Sequence, residues 1–432
     1  MSADPAQLDQ DHLWHPFTQQ QGWSEEEPLL IERGEGSHVI DVDGRRYIDG
    51  TSSLWCNVHG HRHPDIDRAV SAQLGRVAHS TMLGLSHPGA AELAARLVAI
   101  APPGLARVFY SDSGSTAAEI ALKMAFQYQA QRGGEHARRT AFVKLREAYH
   151  GDTIGSVSVG GIDLFHAAYG PLLFETHAAE PGDAADLERV LAAHGEEVAA
   201  VIVEPLVQGA AGILVQPPGY LRAVRELCDA HGVLLICDEV ATGFGRTGSM
   251  FACEQEGVSP DLLCLAKGLT GGYLPLAATL ATEAIYEGFL GAPEEQRTFF
   301  HGHTFTGNPL ACAAALASLD VFESERTIER LQPKIRLLGE RLEEIEAMPE
   351  VAAVRWRGFM VGIDLGEHDP ALRMGHRVTL AARERGAIVR PLGDTVVLVP
   401  PLSISAADLM RLLEITADSI RAAAAVELSR AA

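Results

Sequence analysis

Apolar residues along the chain fall into short unbroken runs separated by stretches of helical period. Runs at Arg107–Tyr110, Thr140–Leu145, Ala199–Val203, Val233–Cys237, Leu262–Ala266 and Leu276–Leu280 are strand-like and too short for a typical helix. Between them, Ala117–Gln131 and Gly219–His231 carry helical patterns. A strand covered on both faces reads as continuous apolar sequence. Strand–helix alternation therefore predicts a mainly parallel sheet flanked by helices, an α/β fold. Upstream, His38–Val42 and Arg45–Asp49 flank Asp43-Gly44, a hairpin signal. After Asn308-Pro309 the character changes. Leu310–Arg326 and Leu331–Ala347 are helical, and Val351–Trp356, Met360–Asp364, Ile388–Pro391 and Val396–Val399 are strand-like. The predicted organisation is an N-terminal segment over 1–60, a large α/β domain over 61–315 and a smaller α+β domain over 316–432.

Composition narrows the partners. A chain of 432 residues can bury a large core and form more than one domain. Its formal net charge of −22 argues against nucleic acid and against anionic membranes. No apolar stretch reaches the ~20 residues that span a bilayer. Met1–Asp11 is acidic and polar, unlike a secretory signal, so a cytoplasmic protein is expected. The six cysteines (Cys56, Cys228, Cys237, Cys253, Cys264 and Cys312) form no Cys-x-x-Cys pair and are expected to be reduced thiols.

Candidate chemistry starts from two strand-like runs that end in charges. Val233–Cys237 runs into Asp238, and Leu262–Ala266 into Lys267. Burying a charge is costly unless it has a partner. Pyridoxal phosphate needs both: a lysine amine condenses with its aldehyde, and an aspartate pairs with its protonated ring nitrogen. A structural ion pair, or two unrelated charges, fits the same spacing. Ser111, Glu204, Asp238 and Lys267 all fall at strand ends, where ligands bind in open α/β sheets.

The surrounding segments are more specific. They are Asp238-Glu239-Val240-Ala241-Thr242-Gly243-Phe244-Gly245-Arg246-Thr247-Gly248, Ala266-Lys267-Gly268-Leu269-Thr270-Gly271-Gly272, Ser111-Asp112-Ser113-Gly114-Ser115 and Glu204-Pro205. Together they resemble the signature of the class III aminotransferases, which are fold-type-I pyridoxal phosphate enzymes. The resemblance implies that Lys267 is the catalytic amine and Asp238 the partner of the ring nitrogen. Gly114 and Ser115 open a helix whose free N–H groups suit the cofactor phosphate. Tyr149 would stack on the ring. Glu204 and Arg246 would support the cofactor and its loops, or form a structural ion pair. His301-Gly302-His303-Thr304 resembles the segment in which a threonine reaches the neighbouring subunit's phosphate. Thr304, with His303 beside it, would then act in trans in a homodimer.

Further segments narrow the resemblance. His12–Gln19, Ser52–His61, Tyr149–Thr153 and Val389–Asp394 are similar to the branch that aminates 8-amino-7-oxononanoate in biotin synthesis. That resemblance implies Arg390 as the bidentate anchor of the acceptor carboxylate. Phe17 and Trp55 would line an apolar tunnel, Gly302 would leave room, and the N-terminal segment would contribute to the site. Phe17 and Leu54 stand where many adenosylmethionine-using members have Tyr and Trp. S-Adenosylmethionine is the favoured donor. Lysine is the alternative donor, and a broad ω-amino-acid or diamine transaminase the alternative enzyme. The clusters His59–His63 and His301–His303 lack the i, i+4 spacing or paired cysteines of common zinc sites, so no metal is expected there.

Overall fold

The alternating runs become a seven-stranded sheet in a computed structural model that describes residues 4–431. Met1–Ala3 of the acidic N-terminal stretch lie outside the described residues. Across the sheet the order is Leu105–Ser111, Ala277–Thr282, Leu262–Leu265, Leu234–Asp238, Val198–Val203, Ala141–Leu145 and His177–Ala179. Ala277–Thr282 runs antiparallel to both neighbours, and the other strands are parallel to one another. The central strands Val198–Val203 and Leu262–Leu265 are buried at every position, which explains their unbroken apolar sequence. Truncating a residue such as Ile202 to Ala would cost about 2–5 kcal/mol, a large share of the ordinary ~5–15 kcal/mol of stability.

Helices cover the sheet as the alternation requires. Gly114–Arg132 packs across Leu262–Leu265 and Ala277–Thr282 on one face. Tyr220–His231 packs against Leu234–Asp238 and the helix Ala184–His194. The edge strand His177–Ala179 was not legible as a run, because it is three residues long and only Ala179 is buried.

The hairpin forms at Asp43-Gly44, where Gly44 takes φ +82° and Asp41 Oδ1 accepts from the N–H of Asp43 and Arg45. It belongs to a four-stranded sheet: Ile31–Glu35, His38–Asp41, Arg46–Asp49 and, from far along the chain, Ala387–Ile388. A second four-stranded sheet holds Ala353–Arg357, Met360–Asp364, Thr395–Leu398 and Arg390–Leu392. The predicted strand Ile388–Pro391 is thus two strands. It breaks at Val389, its first half pairing with Arg46–Asp49 and its second with Thr395–Leu398. Arg246 ties these parts together. Its buried guanidinium donates to Pro400 O at 2.6 Å, Ser52 Oγ at 3.4 Å and Asn57 O at 3.5 Å. Those partners are hydroxyl and carbonyl oxygens, so of the two roles expected for Arg246 the structure favours support of the loops over an ion pair.

Candidate active site

The carboxyl ends of the parallel strands open into a cavity of about 710 Å³. Lys267 enters it one residue beyond the end of Leu262–Leu265, with φ +38°, a conformation costly for a residue with a side chain. Its Nζ sits 4.7 Å from the centre of the Trp55 ring, itself held at φ +64°. Burial pulls the Lys267 pKa below its ordinary value, against the opposing pull of the Asp238 and Glu204 carboxylates. A partly desolvated amine of this kind is the nucleophile such chemistry needs.

Asp238 is the last residue of its strand and is buried. Its Oδ1 accepts from the Val240 N–H at 3.0 Å. Its Oδ2 lies 2.7 Å from Nδ1 of His150, whose Nε2 is buried without a hydrogen-bond partner. Glu204, directly after Val198–Val203, accepts from the N–H of Tyr149 at 3.0 Å and of Gly209 at 2.9 Å. Burial pushes its pKa up to about 7, with His150 pulling the other way.

At the other end of the cavity the helix Gly114–Arg132 begins. Ser113 caps it, accepting from the Thr116 N–H, while the Thr116 hydroxyl takes the N–H of Ser113. The N–H groups of Gly114 and Ser115 stay free for an anion, favoured by the helix dipole. The loop after Ala141–Leu145 closes on this turn. Ser115 Oγ accepts from the Thr153 N–H at 3.0 Å, and Ser156 Oγ donates to Ser115 O at 2.9 Å. Gly151, at φ +117°, permits the approach, since a Cβ there would fall 2.3 Å from Ser115 Cβ. A Cβ on Gly114 would meet Val240 Cγ1 at 2.5 Å.

Lys267, Asp238, Tyr149, Glu204, Gly114, Ser115 and Trp55 therefore share one cavity wall. Phe17 lines an adjoining pocket of about 420 Å³ that meets the cavity at Asp152. It stands edge-on to Phe165 at 5.4 Å, and Phe165 is edge-on to Tyr149 at 6.2 Å. The Tyr149 hydroxyl donates to Asp152 Oδ2 at 2.8 Å. Leu54 is exposed beside Trp55. Arg390 stands outside the cavity wall, half-buried, with Tyr149 as its electrostatic neighbour and no carboxylate partner among the described residues. His303 Nδ1 pairs with Asp112 Oδ2 at 2.7 Å, and Asp112 lines the cavity. Gly302 and Thr304 are exposed and do not line the cavity of their own chain.

His150 was missed as a functional residue although its segment was singled out, because sequence does not reveal which strand end its ring faces. Thr153 and Ser156 were missed for the same reason. The histidines of the first cluster point apart: His59 to Ser318, His61 to Asp49 and His63 to Glu325.

The donor set fits pyridoxal phosphate: an amine held below its ordinary pKa, a buried carboxylate lining the same cavity, and a glycine-lined helix start. The sequence of residues 20–420 matches the family described as Aminotransferase class-III, and the chain belongs to that family. It is 59% identical over 430 residues to the adenosylmethionine-8-amino-7-oxononanoate aminotransferase of Nitratidesulfovibrio vulgaris, covering 94% of this chain and 79% of that protein. The protein of the same name from Geobacter sulfurreducens is 51% identical, covering 93% and 94%. The crystal structure of the Methanocaldococcus jannaschii protein of that name superposes with a TM-score of 0.94 at 44% identity, covering 96% of this chain and 98% of that one. A PLP-bound amine transaminase from an uncultivated Pseudomonas species superposes with a TM-score of 0.90 at 37% identity, covering 95% and 98%. The fold is that of the fold-type-I transaminases, and the chain is an aminotransferase.

Proposed function

We propose that this enzyme transfers an amino group to 8-amino-7-oxononanoate, giving 7,8-diaminononanoate for biotin synthesis, with S-adenosylmethionine as donor. The observation that carries the reading is the joint one: Lys267 and Asp238 on one cavity, in a chain more than half identical to enzymes named for that acceptor and donor.

When bound, pyridoxal phosphate supplies an aldehyde carbon that takes up the amine and a ring that withdraws electrons from the reacting carbon. Lys267 Nζ, whose hold on its proton is weakened by burial, would take that carbon's proton and return it. Asp238, oriented by His150, holds a proton on the ring nitrogen through a charge-assisted bond. The helix start at Gly114 and Ser115 holds the phosphate. Tyr149 covers the ring face. Arg390, with no carboxylate partner among the described residues, binds the acceptor's carboxylate, and Phe17, Leu54 and Trp55 bound the apolar path to it.

The exposure of Thr304 supports a homodimer in which it meets the partner's phosphate. In this reading residues 61–315 carry the cofactor, and the 1–60 and 316–432 segments shape the substrate side. The absence among described residues of any helix long and apolar enough to cross a membrane, and six free cysteines, support a cytoplasmic setting.

A donor screen with 8-amino-7-oxononanoate fixed as acceptor tests the reading. Product formation with S-adenosylmethionine and none with lysine supports it. Product with lysine alone overturns the donor, and amination of pyruvate but not 8-amino-7-oxononanoate overturns the acceptor.

A further inference from the structure

Three side chains from three elements meet at the sheet edge formed by His177–Ala179. His177 opens that strand, in register with Val143. His194 ends the helix Ala184–His194. Glu197 lies in the turn leading into Val198–Val203. That turn is fixed on both sides: the Glu197 N–H donates to His194 O at 2.9 Å, and Glu197 O accepts from the Ala141 N–H at 2.9 Å.

Both imidazoles address the same carboxylate oxygen. Glu197 Oε1 is 3.1 Å from His177 Nε2 and 2.8 Å from His194 Nδ1. The rings stack with centres 3.9 Å apart and 18° between their planes. The three ligand atoms lie within 4.8 Å of one another. Two imidazole nitrogens and a carboxylate oxygen from three separate elements thus converge on one point. One divalent cation can use the same three atoms.

The chemistry of the three side chains suits such an ion. Two imidazoles and a carboxylate form a ligand set of zinc-class ions. With bonds of ~2.0–2.1 Å, adjacent ligands of a tetrahedral ion stand about 3.3 Å apart. The two nitrogen–oxygen separations, 3.1 and 2.8 Å, open by a few tenths of an ångström to meet that, and the stacked rings turn apart so that each lone pair faces the ion. All three side chains keep part of their surface in solvent, so an ion can enter and water can complete its shell. None of the three lines the catalytic cavity.

We propose that His177, His194 and Glu197 form a second site, for a divalent transition-metal ion of the zinc class. Bound there, the ion pins the edge strand to the helix end and to the turn beneath it. An edge strand three residues long has little pairing of its own, so it is where such a clamp has most effect.

The test is a Zn²⁺ titration of tag-free, cofactor-loaded enzyme by calorimetry, joined to zinc X-ray absorption on the wild-type protein. The expected result is one saturable ion per chain with two imidazole ligands in the absorption spectrum. His194→Ala and Glu197→Gln should each weaken binding by about 10- to 100-fold or more, since even second-shell losses cost that much. Their transamination rates should match wild type, which also reports an intact fold. No saturable binding, full-affinity binding in His177→Ala/His194→Ala, or a spectrum without imidazole would overturn the proposal.

Discussion

Nδ1 of His150 lies 2.7 Å from Oδ2 of Asp238, both side chains buried in the lining of the cavity. The contact joins the loop after Ala141–Leu145 to the end of Leu234–Asp238, two strands separated in the sheet by Val198–Val203. The contact fixes the orientation of the Asp238 carboxylate, whose other oxygen is held by the Val240 N–H.

Replacing His150 with Ala should therefore weaken both cofactor retention and turnover while the chain still folds. A hydrogen bond to a charged group is worth roughly 1.5–3 kcal/mol, or about ten- to a hundredfold. Equilibrium dialysis of the cofactor and kcat of the saturated enzyme measure the two effects. His150→Asn should recover part of the cofactor affinity, because its amide can still donate to Asp238. Wild-type values in the Ala variant would remove His150 from this role.

Glu204 gives a pH signature. Its carboxyl titrates near 7 in the folded chain against an ordinary 4.5. A raised carboxyl pKa contributes stability that is complete below about pH 4.5 and is lost as pH rises through about 7. Glu204→Gln removes that loss, so its stability should fall less steeply than wild type between about pH 5 and 8. The difference is at most one proton, about 1.4 kcal/mol per pH unit. Glu239, also pushed up to about 7 by burial, titrates in both proteins and cancels from the comparison. Denaturant midpoints across that range give the slopes, and equal slopes would contradict the assignment.

Arg390→Ala should raise the acceptor's KM by about tenfold to a hundredfold, the range of a lost charged hydrogen bond. The half-reaction with the donor should change much less, because the donor needs that distal anchor less strongly. Equal loss in both half-reactions would contradict the role.

Thr304 is exposed in its own chain, so a role at the phosphate requires a partner. Thr304→Ala should lower cofactor affinity in the dimer, and dilution to monomer should release cofactor from wild type. Sedimentation at falling concentration, with cofactor absorbance followed in the same cell, separates these outcomes. A monomer holding one cofactor per chain would contradict the shared site.

Much of this was legible in the sequence because it is local. The predicted strands form within a few residues of their runs, since a strand buried on both faces must be apolar throughout. Lys267 and Asp238 stood out as charges closing such runs. What stayed hidden depends on distant partners. His150 acquires its role only when its loop folds over Asp238, 88 residues away. The break at Val389 was hidden because Ala387–Ile388 and Arg390–Leu392 read as one apolar run until two sheets claim its halves. His177 and His194 meet only because an edge strand packs beside a helix end.

The central claim is that Lys267 is the amine through which 8-amino-7-oxononanoate is converted. The most direct measurement supplies cofactor-loaded wild type and Lys267→Ala with S-adenosylmethionine and 8-amino-7-oxononanoate, and follows 7,8-diaminononanoate by mass spectrometry. Wild type should form the product, while Lys267→Ala should bind the cofactor without forming product, since among the described residues no other lysine lines the cavity. Product formed by Lys267→Ala at the wild-type rate, or no product from wild type with either S-adenosylmethionine or lysine as donor, would contradict the account.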